Sequence, residues 1–342
     1  MKGMHMKRVA LAALLSLCSS WATLAQDAVA DFFRGKQVFI RIGFAAGSGY
    51  DLAGRLVGPH LGKYIPGNPA VVVQNAPGAG GITLTNQLYN TAPKDGTVIG
   101  LISNGMPTAP LLTPEQARFD MTKFAWIGSN APETQIIVVW HTSPVRSIAD
   151  LFKYETIVGA TAPGVAIYDM PVILNALVGT KFKIVSGYEG TAQIDLATER
   201  GEVHGQAGLG WVSAKARNMA VINERKLLLI AQFGQKKHAD LPDVPLFELP
   251  KDEIDRQALL LMFARQEYGR PLLLPPGVPP ERVAALRRAY LAVMKDPEFL
   301  KDAEKAGLEI NPVSGEDLDA LTREIMQTKP QAVAKLRAIL TP

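Results

Sequence analysis

Cysteine is almost absent from this sequence: Cys18 is the only one in 342 residues. It lies within a stretch that has the features of a secretory signal, so we expect the mature chain to contain no cysteine. Disulfide bonds, thiolate zinc sites and a cysteine nucleophile are therefore excluded from the predicted mature protein. A lipid anchor at Cys18 is not expected, because Leu17 stands where a small residue would precede a lipidated cysteine.

A long hydrophobic run is missing as well. No stretch reaches the roughly 20 consecutive apolar residues that a membrane-spanning helix needs. The first 25 residues instead contain three basic residues, a short apolar run over 9–17 and small residues near their end. This pattern predicts a cleaved signal peptide over 1–25 and export of the mature chain.

Clusters of basic residues interleaved with aromatic residues do not occur. The formal net charge is +4, and Lys2, Lys7 and Arg8 of the predicted signal supply most of it. The predicted mature chain is therefore close to neutral. Nucleic acid is not expected as a partner.

Signatures of catalysis and of cofactor binding are also lacking. No Gly-x-Ser-x-Gly elbow is present, and Ser48 has no identifiable base. The glycine-rich stretch 78–83 lacks the lysine and the Ser/Thr pair of a phosphate loop. The spacing of Gly43, Gly47 and Gly49 does not match a dinucleotide-binding fingerprint. We therefore predict no catalytic residues and no cofactor.

Histidine and aspartate leave one alternative open. The predicted mature chain has four histidines, which are scattered singly without metal-ligand spacing or a nearby carboxylate pattern, so no metal site is predicted: His60, His141, His204 and His238. Asp51 stands where a helix-capping residue belongs, and we favour capping over a ligand contact or a catalytic carboxylate. An exported hydrolase or lyase that uses Asp51 with a histidine remains the alternative function.

Two glycine-rich turns dominate what the sequence does contain. The turn over 43–51 follows the apolar run 38–42, and the turn over 75–81 follows the apolar run 70–74. Each turn leads into a segment with helical spacing of apolar residues. Two such strand–turn–helix units in tandem predict a concave site built from backbone N–H groups and helix N-termini, which suits an anion.

The order of predicted elements indicates an α/β fold. Strands and helices alternate through the strand predicted over 97–102, and the second half repeats this pattern with glycine-rich turns over 161–164 and 187–191. Such alternation predicts parallel sheets covered by helices, with ligands bound beyond the carboxyl ends of the strands. The chain is helical from residue 279 onward.

Length and apolar content favour two domains. With 342 residues and 47% apolar residues, the chain is long for one compact domain. We expect lobe 1 to comprise 36–131 plus 256–342 and lobe 2 to comprise 132–255, with the ligand cleft between them. Hinge rotation is expected near 129–134 and 258–266.

Five motifs resemble periplasmic receptors of the tripartite tricarboxylate transporter family (Bug/TctC-like). The turn over 44–51 with Arg55 is similar to the first signature of that family, and 75–81 with 93–97 is similar to the second. The segments 187–191, 241–245 and 275–279 follow in matching order. The resemblance implies a two-lobed, periplasmic-binding-protein-like fold that closes on a small organic carboxylate and delivers it to a membrane permease.

The resemblance also implies which residues contact the ligand, mainly through backbone N–H groups. These are Ala46, Gly47, Ser48 and Gly49 in the first turn, Ala79 and Gly80 in the second, Asn104 after the third strand, and Thr161, Ala162, Gly164, Tyr188, Gly190 and Thr191 in the opposing lobe. A monomer is expected. Signalling to a membrane sensor instead of transport remains an alternative output.

Two departures from the family pattern bear on the ligand. Glu189 follows Tyr188 where the family more often carries lysine or arginine, and the predicted strand ending near Leu209 has no acid. We therefore hypothesise that the ligand lacks an ammonium group. It would be an organic acid with an apolar or aromatic body near Trp211.

Overall fold

Two β-sheets, each flanked by helices, organise the chain. The computed structural model describes residues 27–161, 163–234 and 236–340. Within these ranges, no helix combines the length and the apolar character that crossing a bilayer requires. The predicted signal peptide and Cys18 lie outside the described residues.

The strands are numbered in chain order. They are β1 (Gln37–Ile42), β2 (Ala70–Asn75), β3 (Val98–Leu101), β4 (Ala125–Ser129), β5 (Gln135–Trp140), β6 (Thr156–Gly159), β7 (Phe182–Val185), β8 (Gly205–Gly210), β9 (Leu227–Phe233), β10 (Pro271–Leu274) and β11 (Val313–Ser314).

The α-helices follow the same convention. They are α1 (27–33), α2 (Gly49–Tyr64), α3 (Ile82–Asn90), α4 (Ala109–Leu112), α5 (Ala166–Val178), α6 (Thr191–Glu199), α7 (Trp211–Asn223), α8 (Glu253–Tyr268), α9 (Pro280–Val293), α10 (Pro297–Lys305), α11 (Gly315–Met326) and α12 (Pro330–Leu340). A short 3-10 helix, Ile148–Phe152, lies between β5 and β6.

The first sheet has the strand order β11-β4-β10-β3-β1-β2. β1 is parallel to β2 and β3, as the alternation of strands and helices predicts. Alternate residues of β1 are apolar, so Val38, Ile40 and Ile42 bury one face in the same cluster as Val57 and Leu61 of α2. β10 is antiparallel to both β3 and β4, so the sheet is mixed rather than purely parallel.

The second sheet has the strand order β7-β6-β8-β5-β9. β6 is parallel to β7 and β8, whereas β5 is antiparallel to β8 and β9. All strands of the first sheet fall within 36–131 and 256–342, and all strands of the second fall within 132–255. That these two parts move as separate lobes stays a prediction.

The chain leaves and re-enters the first sheet at one end of its strands, the end at which the glycine-rich turns lie. Leu101 at the end of β3 pairs with Leu272 in β10, and Pro271 pairs with Ser129 at the end of β4. Because β10 starts where β4 ends, it must run in the opposite direction. We call the turns at this end, over 43–51, 75–81 and 103–105, the first rim.

The chain enters the second sheet at the end of its strands where β8 and β9 finish. Gln135, the first residue of β5, pairs with Gly210 at the end of β8 and with Phe233 at the end of β9. We call the turns at this end, over 160–165, 186–191 and 210–211, the second rim. The two crossing segments, 130–134 and 269–270, therefore run directly between the rims.

Two helices differ from the sequence prediction. The predicted hinge segment 258–266 lies inside α8, and α7 begins at Trp211, where the sequence suggested only the end of a strand. A hinge over 258–266 is therefore not supported, because the hydrogen-bonded interior of a helix cannot absorb a backbone rotation. The return crossing is at 269–270, where Gly269 has φ 50° and a Cβ atom would lie 1.8 Å from the Ala131 carbonyl oxygen.

Candidate functional site

The first turn of the first rim is organised by the start of α2. Ser48 is the N-cap, and its Oγ accepts a hydrogen bond from the Asp51 N–H at 3.2 Å. Asp51 in turn accepts the Gly47 N–H through Oδ2 at 2.9 Å. Ser48 therefore caps the helix and Asp51 binds back to the turn, in the manner of a capping box.

A polar network connects the first turn to the second. Asp51 Oδ1 accepts hydrogen bonds from Arg55 Nε at 2.9 Å and from Asn75 Nδ2 at 2.8 Å, and Asn75 Nδ2 also donates to the Phe44 carbonyl. Burial raises the pKa of Asp51, but the hydrogen bonds from Arg55, Gly47 and Asn75 outweigh it and lower the pKa to about 2. Asp51 is therefore ionised and paired, which makes it a structural group and not a general base.

The second turn has an unusual backbone. Gly78, Gly80 and Gly81 all have positive φ, and Ala79 between them has φ 45°. Only glycine adopts such conformations at no steric cost, and Ala79 is strained there. The turn is exposed at Ala79 and Gly80, and a Cβ atom at Gly80 would meet nothing within 4 Å. Its backbone is therefore open to an approaching ligand.

Free N–H groups remain at both turns. Among the described residues, no acceptor is found for the backbone N–H groups of Ala46, Gly49, Tyr50, Ala79 and Gly80. These groups lie at an exposed or half-exposed surface at the start of a helix, where the partial positive charge of the helix favours an anion. The first rim can therefore bind a carboxylate without a cationic side chain.

Asn104, like Gly47 and Ser48, has a backbone N–H group that is already used; Gly47 donates to Asp51, and Ser48 donates to the Ala45 carbonyl at 3.4 Å. The Asn104 N–H donates to the Tyr50 hydroxyl at 3.1 Å, and the Tyr50 ring stacks on Phe44 with centroids 4.2 Å apart. The backbone N–H of Asn104 is thus already used. Its side chain, which is half-buried, remains as a predicted contact.

The second rim repeats the arrangement of the first. The Gly164 N–H donates to Asp169 Oδ1 at 2.8 Å, just as Gly47 donates to Asp51. Gly187 N–H and Tyr188 N–H donate to carbonyls of the neighbouring turn, namely those of Thr161 and Ala160. Gly190 is the N-cap of α6 and has no side chain above it. Ala162, also predicted to contact the ligand, lies outside the described residues.

A cation that sequence reasoning missed lies beside this rim. Arg217 of α7 donates through Nη2 to Thr191 Oγ1 at 2.7 Å, and its Nε lies 3.1 Å from Asp195 Oδ2. The sequence suggested that Glu189 leaves the loop without a cation. Arg217 supplies one from a different helix, and no local motif could have revealed it.

Trp211 does not face the cleft, contrary to the hypothesis of an aromatic contact there. It is 4% exposed and packs with Ile136, Val138 and Leu209 of its own sheet. Its indole N–H lies 3.3 Å from Asp240 Oδ2. Trp211 is the first residue of α7, and its ring is buried there. The sequence prediction placed this segment at the end of a strand and so did not show the burial.

Two histidines do have carboxylate neighbours, which corrects the sequence prediction. His60 Nε2 lies 3.3 Å from Asp302 Oδ2, and His238 Nε2 lies 3.3 Å from Glu309 Oε1. Ligand atoms of His60, Asp296 and Glu298 lie within 4.8 Å of one another.

The His60 group lies between α2 and α10, away from both rims. Lys63 Nζ lies 2.6 Å from Glu298 and 3.9 Å from Asp296, so an ammonium group already occupies the position of a cation. We assign this group to helix packing.

Comparison with known proteins gives the family. The family model for the tripartite tricarboxylate transporter family receptor (TctC) matches residues 63–337, which is most of the chain. A protein of Cupriavidus necator described as "UPF0065 protein in gbd 5'region" is 24% identical over 327 residues, covering 92% of this chain and 92% of that protein.

Solved structures show the same fold at low sequence identity. MatC from Rhodopseudomonas palustris with bound malate has a TM-score of 0.63 and 19% identity, and it covers 90% of this chain and 100% of that one. A second protein of that organism, with adipate, has a TM-score of 0.64 and 18% identity, covering 88% and 97%. The two-lobed α/β fold predicted from the sequence is confirmed. The chain belongs to the tripartite tricarboxylate transporter family of receptors, which are solute-binding proteins and not enzymes.

Proposed function

We propose that this chain is a periplasmic receptor that binds a small organic carboxylate between its two rims and delivers it to the permease of a tripartite tricarboxylate transporter. The observation that carries the proposal is the set of free backbone N–H groups at Ala46, Gly49, Tyr50, Ala79 and Gly80. They all belong to turns of the first rim and are exposed or half-exposed.

The energetics of such a site are sufficient for a transport receptor. A hydrogen bond between a backbone N–H and a carboxylate contributes about 1.5–3 kcal/mol, because the acceptor is charged. Three or four of them give a dissociation constant on the order of micromolar after the entropy cost of binding and closure is subtracted. The two structural neighbours hold malate and adipate, which are small organic carboxylates.

Three carboxylates at or beside the rims are paired with arginines and argue against an amino acid as ligand, while Glu189 of the second rim accepts a hydrogen bond from Gln193. Asp51 pairs with Arg55, Asp169 with Arg265 and Asp195 with Arg217. Each of these acids is neutralised by an arginine and is thereby unsuited to bind the ammonium group of a ligand. This supports an organic acid that carries no amine.

A thermal-shift screen of the chain without the predicted signal peptide, residues 1–25, tests the proposal. Succinate, malate, adipate, citrate and benzoate are compared with aspartate and glutamate at equal concentration and ionic strength. We expect at least one organic acid to raise the melting temperature by several degrees and the amino acids to have little effect. A preference for aspartate or glutamate would contradict the assignment of the ligand class.

Small-angle scattering tests the closure that delivery to a permease implies. The lobes, 36–131 plus 256–342 and 132–255, are expected to rotate about the crossing segments when the cleft is filled. The radius of gyration should fall when the saturating acid is added. An unchanged radius at saturation would contradict closure without contradicting binding.

A further inference from the structure

Arg270 and Glu133 form a buried ion pair where the two crossing segments meet. Arg270 Nη2 lies 3.0 Å from Glu133 Oε2, and the two side chains are only 9% and 13% exposed. Arg270 directly precedes β10, and Glu133 lies two residues before β5. The pair therefore lies on the two connections between the sheets.

Each residue of the pair lies close to one of the rims. The position that a Cβ atom would take at Gly49 lies 3.5 Å from Arg270 Nη2 and 3.7 Å from Nε. The corresponding position at Gly210 lies 2.3 Å from Glu133 Oε1. Arg270 thus lies beside the first residue of α2, and Glu133 lies against the N-cap of α7. A side chain at Gly210 would displace the Glu133 carboxylate from this position.

The hydrogen bonding of this pair is incomplete. In the part of the chain that the structure describes, Arg270 Nε is buried and has no hydrogen-bond partner. Leaving such groups unpaired costs free energy, and native proteins rarely do so without a function. A cation beside the N-terminus of α2 is also unfavourable by itself, because that end of the helix is partially positive. Both features favour a second anion at this point.

We propose that Arg270 is a ligand-binding residue that donates Nε to a carboxylate oxygen of the bound acid beside the free N–H of Gly49. Glu133 is the resident counterion that neutralises Arg270 while the cleft is empty. The assignment rests on the proposed function, because it requires a carboxylate at the first rim. It adds to the backbone N–H groups a guanidinium whose planar fork fits a carboxylate.

Burial of both partners supports this division of roles. Burial raises the pKa of Glu133, and the nearby Arg270 opposes that effect. An incoming carboxylate binds Arg270 together with Glu133, and the negative charge of Glu133 repels the ligand carboxylate at short range. Removing the charge of Glu133 should therefore strengthen ligand binding, whereas removing the charge of Arg270 should weaken it.

Calorimetric titration of malate and adipate into wild type, Arg270→Gln, Arg270→Lys and Glu133→Gln tests the assignment. We expect Arg270→Gln to weaken binding of the recognised acid by about tenfold or more, the cost of losing one charge-assisted bond. Arg270→Lys should give an intermediate loss, because it keeps the charge but not the fork. Glu133→Gln should tighten binding several-fold.

Arg287→Gln is the matched control. Arg287 is a mostly buried arginine that pairs with Asp319 and Glu316, far from either rim. Its replacement should leave the affinity unchanged. Melting temperatures of all variants report separately on folding.

The signs of the effects separate the possible outcomes. A purely structural ion pair predicts that Arg270→Gln and Glu133→Gln weaken binding alike, and that result would overturn the assignment. If Arg270→Gln does not fold, Arg270→Lys and Glu133→Gln still have to shift the affinity in opposite directions. Wild-type protein that binds none of the organic acids in the thermal-shift screen counts against the proposed function itself. Wild-type binding that Arg270→Gln leaves unchanged contradicts only the role of Arg270.

Discussion

Arg265 of α8 and Asp169 of α5 form a buried ion pair that connects the two sheets. Nη1 of Arg265 lies 3.3 Å from Oδ2 of Asp169. Arg265 Nε also donates to Thr108 Oγ1 at 2.7 Å, and Asp169 Oδ1 accepts the Gly164 N–H. Burial raises the pKa of Asp169 and lowers that of Arg265, while their mutual attraction opposes both shifts. The pair thereby connects the first sheet to a turn of the second rim.

A double-mutant cycle on this pair should show strong coupling. Asp169→Asn and Arg265→Met each leave one buried charge without a partner, so each should lower the free energy of unfolding by about 3–5 kcal/mol. The double variant should lose much less than the sum of the two. Urea unfolding at pH 7 measures all four proteins. Additive losses would show that the two side chains do not interact.

Asp51 should make the free energy of unfolding depend on pH in the acidic range. Its folded-state pKa of about 2 lies below the ordinary 3.8, so its contribution is complete above the ordinary value and is lost as the pH falls toward 2. Asp51→Asn should therefore lower stability by about 1–2 kcal/mol at pH 7 and flatten the decline below pH 4. Urea unfolding at several pH values measures this. Asp31→Asn, at an exposed pair with Arg34, is the control.

Side chains at the second turn should block the ligand without blocking folding. Gly80→Val places a branched side chain on the exposed backbone where we locate the carboxylate, and it should abolish measurable binding. Gly179→Val is the matched control, because both glycines have positive φ and no atom within 4 Å of the Cβ position. Both variants should lose about 1–2 kcal/mol of stability from the left-handed backbone. If Gly80→Val binds the acid as tightly as Gly179→Val does, the second turn is not part of the binding site.

Trp211 should matter for stability and not for affinity. Trp211→Phe removes the indole N–H that Asp240 accepts and part of a buried ring, so it should cost about 1–2 kcal/mol of stability. Because the ring packs within its own sheet, the affinity for the recognised acid should stay within about twofold. A tenfold change in the affinity measured by calorimetry would show that Trp211 contributes to ligand binding.

The glycine-rich turns were predictable from sequence because their chemistry is local. Positive φ at Gly78, Gly80 and Gly81 requires glycine, and the capping relation of Ser48 and Asp51 spans only three residues. Such features appear as short motifs between a strand and a helix. The same holds for the parallel pairing of β1 with β2 and β3, which follows from the alternation of elements.

The elements that were missed depend on contacts far apart in the chain. α8 is buried on several sides, so it has no polar stripe and reads as an apolar run instead of an amphipathic helix. Arg217, Arg265 and Arg270 reach the rims from positions remote in sequence from the turns they contact. Their pairing with Asp195, Asp169 and Glu133 is visible only once the two sheets are assembled.

The central claim is that backbone N–H groups of the two glycine-rich turns bind the carboxylate. A crystal structure with the acid selected by the thermal-shift screen tests it most directly. We predict a carboxylate whose oxygens lie within about 3.2 Å of the N–H groups of Gly49 and Gly80. A ligand held elsewhere, or one held at the rims by side chains alone, would contradict the account.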